Sequence, residues 1–243
     1  MADLTILGID SSAKSAAACV YSGEKVLAQA QLNVPLTHSQ TLLPLIDGLL
    51  KNAKIQLSDI ELFAVFSGPG SFTGLRISSA AVKGLAYSLN KPCIGVSSLE
   101  SLAYNLLGFK GIVCAVMDAR CSQVYTALFD ASYGKTGFGI SRISDDIAIP
   151  LSELEKMLKN YDKPVFFVGD GAELCYNTIG KNRDNVFLAP PHLRFQSGYG
   201  VCRCAESLKT SSVCAGELSL SYLRLPQAER ELLKKTADKT ADK

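Results

Sequence analysis

The sequence predicts an α/β fold built from two copies of one structural unit. In each copy an apolar, strand-like segment ends in a carboxylate, at Asp10 in the first and at Asp118 in the second. A polar turn and a return segment follow each carboxylate, which is typical of antiparallel strands. The chain has 243 residues, 47% hydrophobic and 20% charged, so it can bury a core in each copy. An internal duplication of this kind predicts two lobes with one architecture.

The first predicted lobe covers residues 1–108 and begins with a meander of three strands. Short polar turns separate the three apolar segments, and turns this short join antiparallel neighbours. Two later segments have apolar residues at spacings of three and four, which indicates helices that bury one face. In chain order, we expect strands at 5–10, 16–21 and 26–32, a helix at 38–53, a strand at 60–66, a helix at 75–89, a strand at 94–96 and a helix at 97–107.

The second predicted lobe, at residues 109–225, repeats this plan in a reduced form, with shorter helices and a proline-rich loop. In chain order, we expect strands at 111–117, 123–129 and 138–149, a helix at 151–160, a strand at 165–168 and a closing helix at 197–209. Half of residues 226–243 are charged, so this last segment is expected to be a solvated tail.

Composition and charge exclude several functional classes. A net charge of +2 and an isoelectric point near 8.1 argue against tight binding of nucleic acid by the chain alone. No apolar run approaches the roughly 20 residues of a membrane-spanning helix, and the first residues lack the pattern of a secretory signal. The eight cysteines include no C-x-x-C pair. We therefore expect them to serve as small, buried apolar side chains in a protein of a reducing compartment. A cytoplasmic protein is therefore expected.

Two neighbouring turns could hold a phosphate group. Residues 68–76 read Gly-Pro-Gly-Ser-Phe-Thr-Gly-Leu-Arg between a predicted strand and a predicted helix, where backbone amides and the helix dipole favour anions. A carboxylate and two hydroxyls follow the first strand, where such groups can hold Mg²⁺. The glycine spacing matches neither a P-loop nor a dinucleotide-binding fingerprint. The candidate nucleotide-binding residues are Asp10, Ser11, Ser12, Gly68, Gly70 and Ser71.

A purely structural role explains the glycine-rich turn as well as phosphate binding does, and it also explains the turn at Asp10. Ser71 or Thr73 could cap the following helix, in which case the glycines serve a tight strand-to-helix turn. The Asp10 side chain could close its own turn by hydrogen bonding, and for Asp10 alone this interpretation is favoured.

The two histidines, His38 and His192, do not form a recognisable catalytic or metal-binding motif. A helical metal pair needs a second ligand four residues after His38, and Leu42 stands there. His192 lies in the proline-rich loop and is expected to be exposed. The chain also lacks the G-x-S-x-G elbow of many serine hydrolases. We therefore expect His38 to make a hydrogen bond at the start of its helix, and we expect no intrinsic catalysis.

The first two predicted helices are more apolar, or richer in small residues, than one buried face requires. A helix on a monomer surface needs a single apolar stripe, whereas residues 38–53 are apolar on more than one side. The predicted partner interface consists of Leu42, Leu45, Ile46, Leu49, Ser78, Ala80, Ala81 and Gly84. The alternative is that the chain's own second lobe covers this face. Without a partner, the same surface is expected to form a two-fold homodimer.

Through these motifs the chain resembles the TsaB (YeaZ) family. The block at 68–76 is the most specific match. Two positions depart from the family pattern, because Leu220 stands where proline is usual and the first strand ends in Asp-Ser-Ser where Asp-Thr-Ser is commoner. The matching segments are 6–12, 38–39, 42–44, 68–76, 83–86, 95–99, 118–120, 124–125, 169–171 and 222–224.

The resemblance implies an actin-like (ASKHA, RNase H-like) fold and a non-catalytic role. TsaB proteins support TsaD, the metal-carrying subunit that transfers threonylcarbamoyl to adenosine 37 of tRNAs that read ANN codons. TsaE, an ATPase, joins that complex, so ATP or ADP could lie at the complex interface. The resemblance places the TsaD contact on residues 38–53 and 72–89 and lets tRNA reach this chain only through the complex. TsaD proteins carry H-x-x-x-H on the equivalent first helix, where this chain has His38 and Leu42.

Three functional hypotheses remain at this stage. The first is a non-catalytic scaffold and activator of a tRNA-modifying complex. The second is a free-standing actin-like ATPase or small-molecule kinase that uses Asp10 and the glycine-rich loop. The third is a metallopeptidase, which the leucine at position 42 makes the least favoured.

Overall fold

A five-stranded mixed sheet forms the centre of the first lobe. The structure is a computed structural model that describes residues 3–134 and 137–223, so the predicted tail at 226–243 lies outside the described residues. The strands are β1 (Thr5–Asp10), β2 (Ala16–Ser22), β3 (Lys25–Leu32), β4 (Leu62–Gly68) and β5 (Cys93–Ser97). Their order is β3-β2-β1-β4-β5, with β1 to β3 antiparallel and with β4 parallel to both β1 and β5. The predicted meander is confirmed.

A second sheet repeats this topology. Its strands are β6 (Gly111–Asp118), β7 (Gln123–Gly134), β8 (Gly137–Arg142), β9 (Ile147–Pro150), β10 (Val165–Val168) and β11 (Val186–Leu188). The order β8-β7-β6-β10-β11 has the same antiparallel and parallel neighbours as the first sheet, and β9 pairs with the free part of β7. The repeated order confirms the internal duplication.

The strand predicted at 138–149 is two strands, β8 and β9, which pair with different parts of β7. The chain bends between them, where Ile143 N–H donates to the Leu128 carbonyl at 2.8 Å and Leu128 N–H donates to Ser144 Oγ at 2.9 Å. Hydrogen bonds of this kind replace the regular ladder, and hydrophobicity alone did not reveal them.

Helices cover the sheets because each buries one apolar stripe. The helices are α1 (His38–Ala53), α2 (Phe72–Ser88), α3 (Ser98–Ala103), α4 (Leu151–Leu158), α5 (Ala172–Thr178) and α6 (Gly198–Ser207). Leu42, Ile46 and Leu49 of α1 pack into a core with Leu75 and Val82 of α2 on one face of the first sheet. Helices α4 and α5 similarly contribute to a core on one face of the second sheet.

The remaining helices are exchanged between the two halves of the chain. Helix α3 follows the first sheet in the sequence, yet Leu99 and Leu102 pack against Val113 of the second sheet. Helix α6 follows the second sheet, yet Val201 packs against Ile6 of the first. All strands of the first sheet precede residue 108, the predicted lobe boundary, and all strands of the second sheet follow it. Helices α3 and α6, however, each pack against the sheet on the other side of this boundary. The lobe boundaries 1–108 and 109–225 therefore stay a prediction.

Most of the cysteines are buried, as expected. Six of the eight thiols lie in the interior, and Cys121 and Cys214 are exposed. Within residues 3–134 and 137–223, no helix has both the length and the apolar character needed to cross a membrane.

Candidate functional site

The turn after β1 is closed by the Asp10 side chain. Ser12 donates two hydrogen bonds to Asp10 Oδ1, from its backbone N–H and from its Oγ, both at 2.8 Å. Asp10 is completely buried, and its Oδ2 has no hydrogen-bond partner. Burial disfavours the charged form and raises the pKa of the Asp10 carboxyl to about 7, against the opposing effect of the Ser12 bonds.

The glycine-rich loop packs directly on this turn. Ser71 N–H donates to the Ser12 carbonyl at 2.7 Å, and Ser11 Oγ donates to the Gly74 carbonyl at 3.1 Å. A Cβ on Gly74 would collide with the Ser11 carbonyl oxygen, so the glycine is required by the approach of two stretches of this chain. Ser71 Oγ accepts a hydrogen bond from Gly74 N–H at 3.3 Å and caps α2, which confirms the capping interpretation.

The end of the described chain lies against the other side of the loop. Ser221 N–H donates to the Ser67 carbonyl at 2.8 Å, and a Cβ on Gly68 would collide with the Ser221 carbonyl oxygen. The Tyr222 ring then packs on Phe72, with 4.8 Å between the ring centroids. The Arg76 guanidinium lies 3.9 Å from the centroid of the same Phe72 ring.

The second lobe brings carboxylates to the facing side. Asp118 ends β6, and its Oδ1 accepts a hydrogen bond from Arg120 N–H at 2.7 Å. Asp170 follows β10 and accepts a long hydrogen bond of 3.4 Å from Asp118 N–H. Burial raises the pKa of Asp170 to about 6, while the nearby Lys14 opposes the shift. Asp170 was not among the predicted site residues. The sequence Gly-Asp-Gly at 169–171, directly after a predicted strand, could have identified it.

A cleft of about 510 Å³ separates these two groups of residues. Of the candidate nucleotide-binding residues, Ser12, Gly70 and Ser71 line it. Asp10, Ser11 and Gly68 do not, because the glycine-rich loop and the last described residues cover them. The cleft is lined by Ser12, Ala13, Lys14, Pro69, Gly70, Ser71, Phe72, Thr73, Leu75, Met117, Asp118, Ala119, Arg120, Tyr125, Asp170, Ser221, Tyr222 and Leu223.

This arrangement does not fit a magnesium nucleotide held by the predicted first-lobe residues. The Asp10 carboxyl is behind the cleft wall, and the Ser71 amide that would contact a phosphate already bonds to Ser12. Within residues 3–134 and 137–223, no three His, Cys, Asp or Glu side chains form a group that could hold a metal ion. A nucleotide at an interface with other subunits stays a prediction.

The expectation for His192 is confirmed, whereas His38 makes a different hydrogen bond from the one expected. His38 Nε2–H donates to the Ala13 carbonyl at 2.6 Å, so the hydrogen bond joins α1 to the loop after β1 and does not serve the helix start. Leu42, the position of the missing metal ligand, is buried in the first-lobe core. His192 is exposed in its loop.

The structure corrects four of the predicted interface residues. Leu42, Ile46 and Leu49 are buried in the core beneath α1, and Ser78 is buried with its Oγ donating to the Gly74 carbonyl at 3.1 Å. From the sequence we placed these residues on the exposed side of their helices, because the spacing of apolar residues does not show which of two apolar faces packs on the sheet. The others lie at the surface, with Ala80 and Gly84 exposed and Leu45 and Ala81 half-buried, and for these the interface stays a prediction.

Two exposed side chains on the same helices were missed as interface candidates. Leu43 of α1 and Tyr87 of α2 are large, apolar or aromatic, and turned to solvent. The signal for Leu43 was present, because α1 carries more leucines than one stripe can hold.

The repeated sheets and the cleft between them define a two-lobed protein of the actin-like (ASKHA) class. The family model for TsaD, tRNA N6-adenosine threonylcarbamoyltransferase, matches residues 33–216. TsaB from Bacillus subtilis is 34% identical over 171 residues, 70% of this chain and 73% of that protein. TsaB from Haemophilus influenzae is 29% identical over 237 residues, 92% of this chain and 95% of that protein.

A solved structure of YeaZ from Pseudomonas aeruginosa superposes with a TM-score of 0.73. It is 25% identical and covers 90% of this chain and 100% of that one. The chain therefore belongs to the TsaB (YeaZ) family.

Proposed function

We propose that this chain is a non-catalytic subunit of the bacterial complex that forms N6-threonylcarbamoyladenosine at position 37 of tRNAs that read ANN codons. Membership of the TsaB family, across 92% of the chain in one relative, carries the proposal. In this function the chain binds and supports a TsaD-like catalytic subunit and allows a TsaE-like ATPase to join. ATP or ADP, if present, lies at the interface of the assembled complex, and the setting is the cytoplasm.

The chemistry of α1 supports a non-catalytic role. His38 is engaged with the Ala13 carbonyl, and Leu42 fills the core where a TsaD-type helix would present its second metal-binding histidine. The carboxylate at the end of β1 is sealed beneath the glycine-rich loop. Transfer chemistry therefore falls to the partner subunit.

The outer surfaces of α1 and α2 are the proposed contact with that partner. Leu43 and Tyr87 are exposed there, and Ala80 and Gly84 leave the α2 surface low enough for another helix to approach. A self-complementary surface of this kind also supports a weaker homodimer when the partner is missing.

The test is binding of the purified chain to the TsaD-like subunit of the same organism, measured by calorimetry. Leu43→Asp should weaken binding at least about 100-fold, because an unpaired charge in a desolvated interface costs roughly 3–5 kcal/mol. Leu174→Asp, at an exposed leucine of α5, is the matched control and should bind normally. Equal binding by both variants would place the interface elsewhere. ATP turnover by the isolated chain, lost in Asp10→Ala, would favour the actin-like ATPase or kinase instead.

A further inference from the structure

The last described residues form a strap along the outer edge of the first sheet. Cys93, at the start of β5, and Val213 exchange two backbone hydrogen bonds, of 2.9 and 2.8 Å. The Ala215 and Leu218 side chains are then buried in the first-lobe core. We call residues 213–223 the strap, and its first part is firmly attached to the fold.

The end of the strap is held much less firmly than its beginning. The Leu220 side chain still packs partly against the first-lobe core. The next three residues are all exposed, although two of them, Tyr222 and Leu223, carry large side chains. We call residues 221–223 the flap.

The flap spans the glycine-rich loop from one end to the other. Where β4 ends, Ser221 N–H donates to the Ser67 carbonyl at 2.8 Å, and the Ser221 carbonyl oxygen occupies the space that a Cβ on Gly68 would need. Where α2 begins, the Tyr222 ring packs on Phe72. A single backbone hydrogen bond and a pair of aromatic rings are each worth little net free energy. The flap therefore covers the loop with weak contacts.

Unfilled space lies on both sides of the flap. All three flap residues line the cleft of about 510 Å³. A second cavity, of about 270 Å³, lies between the strap and the end of β4, and Ser67 and Ser221 both line it. Ser221 thus stands between the two cavities. Segments with few buried contacts open at a lower free energy than the rest of a fold.

We propose that the flap is a lid, hinged at Leu220, that opens while the rest of the strap stays in place. Opening removes Ser221 from between the two cavities, which then form one groove from the cleft to the edge of the first sheet, and it uncovers the Phe72 ring. An occupant that needs the whole groove binds only the open form, so its apparent affinity falls in proportion to the open fraction. The closed lid is an autoinhibitory contact, and it does not depend on the proposed function.

Hydrogen exchange of single amides in the full-length chain, followed by NMR, measures the opening. The Ser221 amide should be at least about 100-fold less protected than the Val213 amide, because only the first opens with the lid. Tyr222→Ala should lower the protection of Ser221 about tenfold and leave that of Val213 unchanged. Tyr87→Ala removes an exposed ring from the other end of α2 and should change neither amide.

A change in the attached part of the strap should have the opposite pattern. Leu218→Ala should lower the protection of Val213 at least about 30-fold, because it truncates a buried leucine of the core. Urea melts establish that each variant is folded before its amides are compared.

Fluorescence provides a second measurement. The chain contains no tryptophan, so Tyr222→Trp introduces a single reporter in the flap. Its emission should move to longer wavelength when Phe72→Ala is added, because the ring then loses its partner and faces water. The dye 1-anilinonaphthalene-8-sulfonate binds exposed apolar surface and should bind Tyr222→Ala more strongly than the native chain or Tyr87→Ala.

Three results would overturn the proposal. Equal protection of the Ser221 and Val213 amides would mean that the strap opens as one piece. A loss of Val213 protection in Tyr222→Ala as large as in Leu218→Ala would make the tyrosine part of the core. Dye binding by Tyr222→Ala no stronger than by the native chain would mean that the flap closes no groove.

Discussion

The buried Asp10 carboxyl should make the protein less stable as the pH rises from about 4 to about 7. The folded chain holds this proton up to a pKa of about 7, whereas the unfolded chain releases it near the ordinary value of 3.8. Between these values the folded state binds more protons, so the free energy of unfolding falls as the pH rises. The stabilisation is complete below pH 3.8 and is lost as the pH passes through about 7.

The magnitude follows from the size of the shift. A rise from 3.8 to about 7, at about 1.4 kcal/mol per pH unit, corresponds to about 4 kcal/mol. Asp10→Asn removes the ionisation and keeps an oxygen that can accept both Ser12 bonds. The variant should therefore lose most of this pH dependence. Asp170, whose pKa is also raised, changes stability in the same direction in both proteins, and its charge contributes to the shift of Asp10, so the difference between the profiles reports Asp10 together with that interaction.

The assay is urea unfolding followed by circular dichroism at several pH values between about 4 and 8, with ΔG extrapolated to water. Asp145→Asn, at an exposed carboxyl, controls for the loss of one acidic residue. Parallel profiles for the native chain and Asp10→Asn would show that the Asp10 carboxyl does not hold its proton in the folded state, and the reasoning from its burial would be wrong.

The packing of other residues predicts the effects of three substitutions on stability and the result of thiol labelling. Gly74→Ala should lower the unfolding free energy by about 1–3 kcal/mol in urea melts, because the added methyl group meets a carbonyl oxygen. Ile46→Ala should cost about 2–5 kcal/mol in the same melts, whereas Leu43→Ala on the exposed side of α1 should change stability by less than about 0.5 kcal/mol. A thiol reagent should modify only Cys121 and Cys214 of the eight cysteines in the native protein, counted by mass spectrometry, and a third rapid thiol would contradict the burial of the rest.

The sequence pattern predicted the secondary-structure elements correctly where residues close together in the chain determine the structure. The meander of β1 to β3 and the limits of α1 follow from turns and from spacings of three and four, and the structure has them nearly where expected. The short elements α5 and β11 were missed, because seven and three residues carry too little periodicity to separate them from loops.

Contacts between segments that are far apart in the chain could not be predicted from the sequence. The Asp10 turn and the glycine-rich loop were both recognised, but only the structure shows that Ser71 bonds to Ser12 and closes one over the other. The contacts of Phe166 with Phe109 and with Phe187 could not be predicted for a related reason, because the three residues are far apart in the chain and become neighbours only in the folded protein.

The exchange of α3 and α6 has a consequence for synthesis of the protein on the ribosome. One face of the first sheet stays uncovered until α6, ending at Ser207, has emerged, and its outer strand β5 gains the Val213 pairing later still. The apolar face of the first sheet therefore remains exposed on the nascent chain until the residues of α6 have been synthesised. The two halves repeat one topology, but the first does not cover its own apolar surface, which stays exposed from the synthesis of β5, ending at Ser97, until α6 has been made.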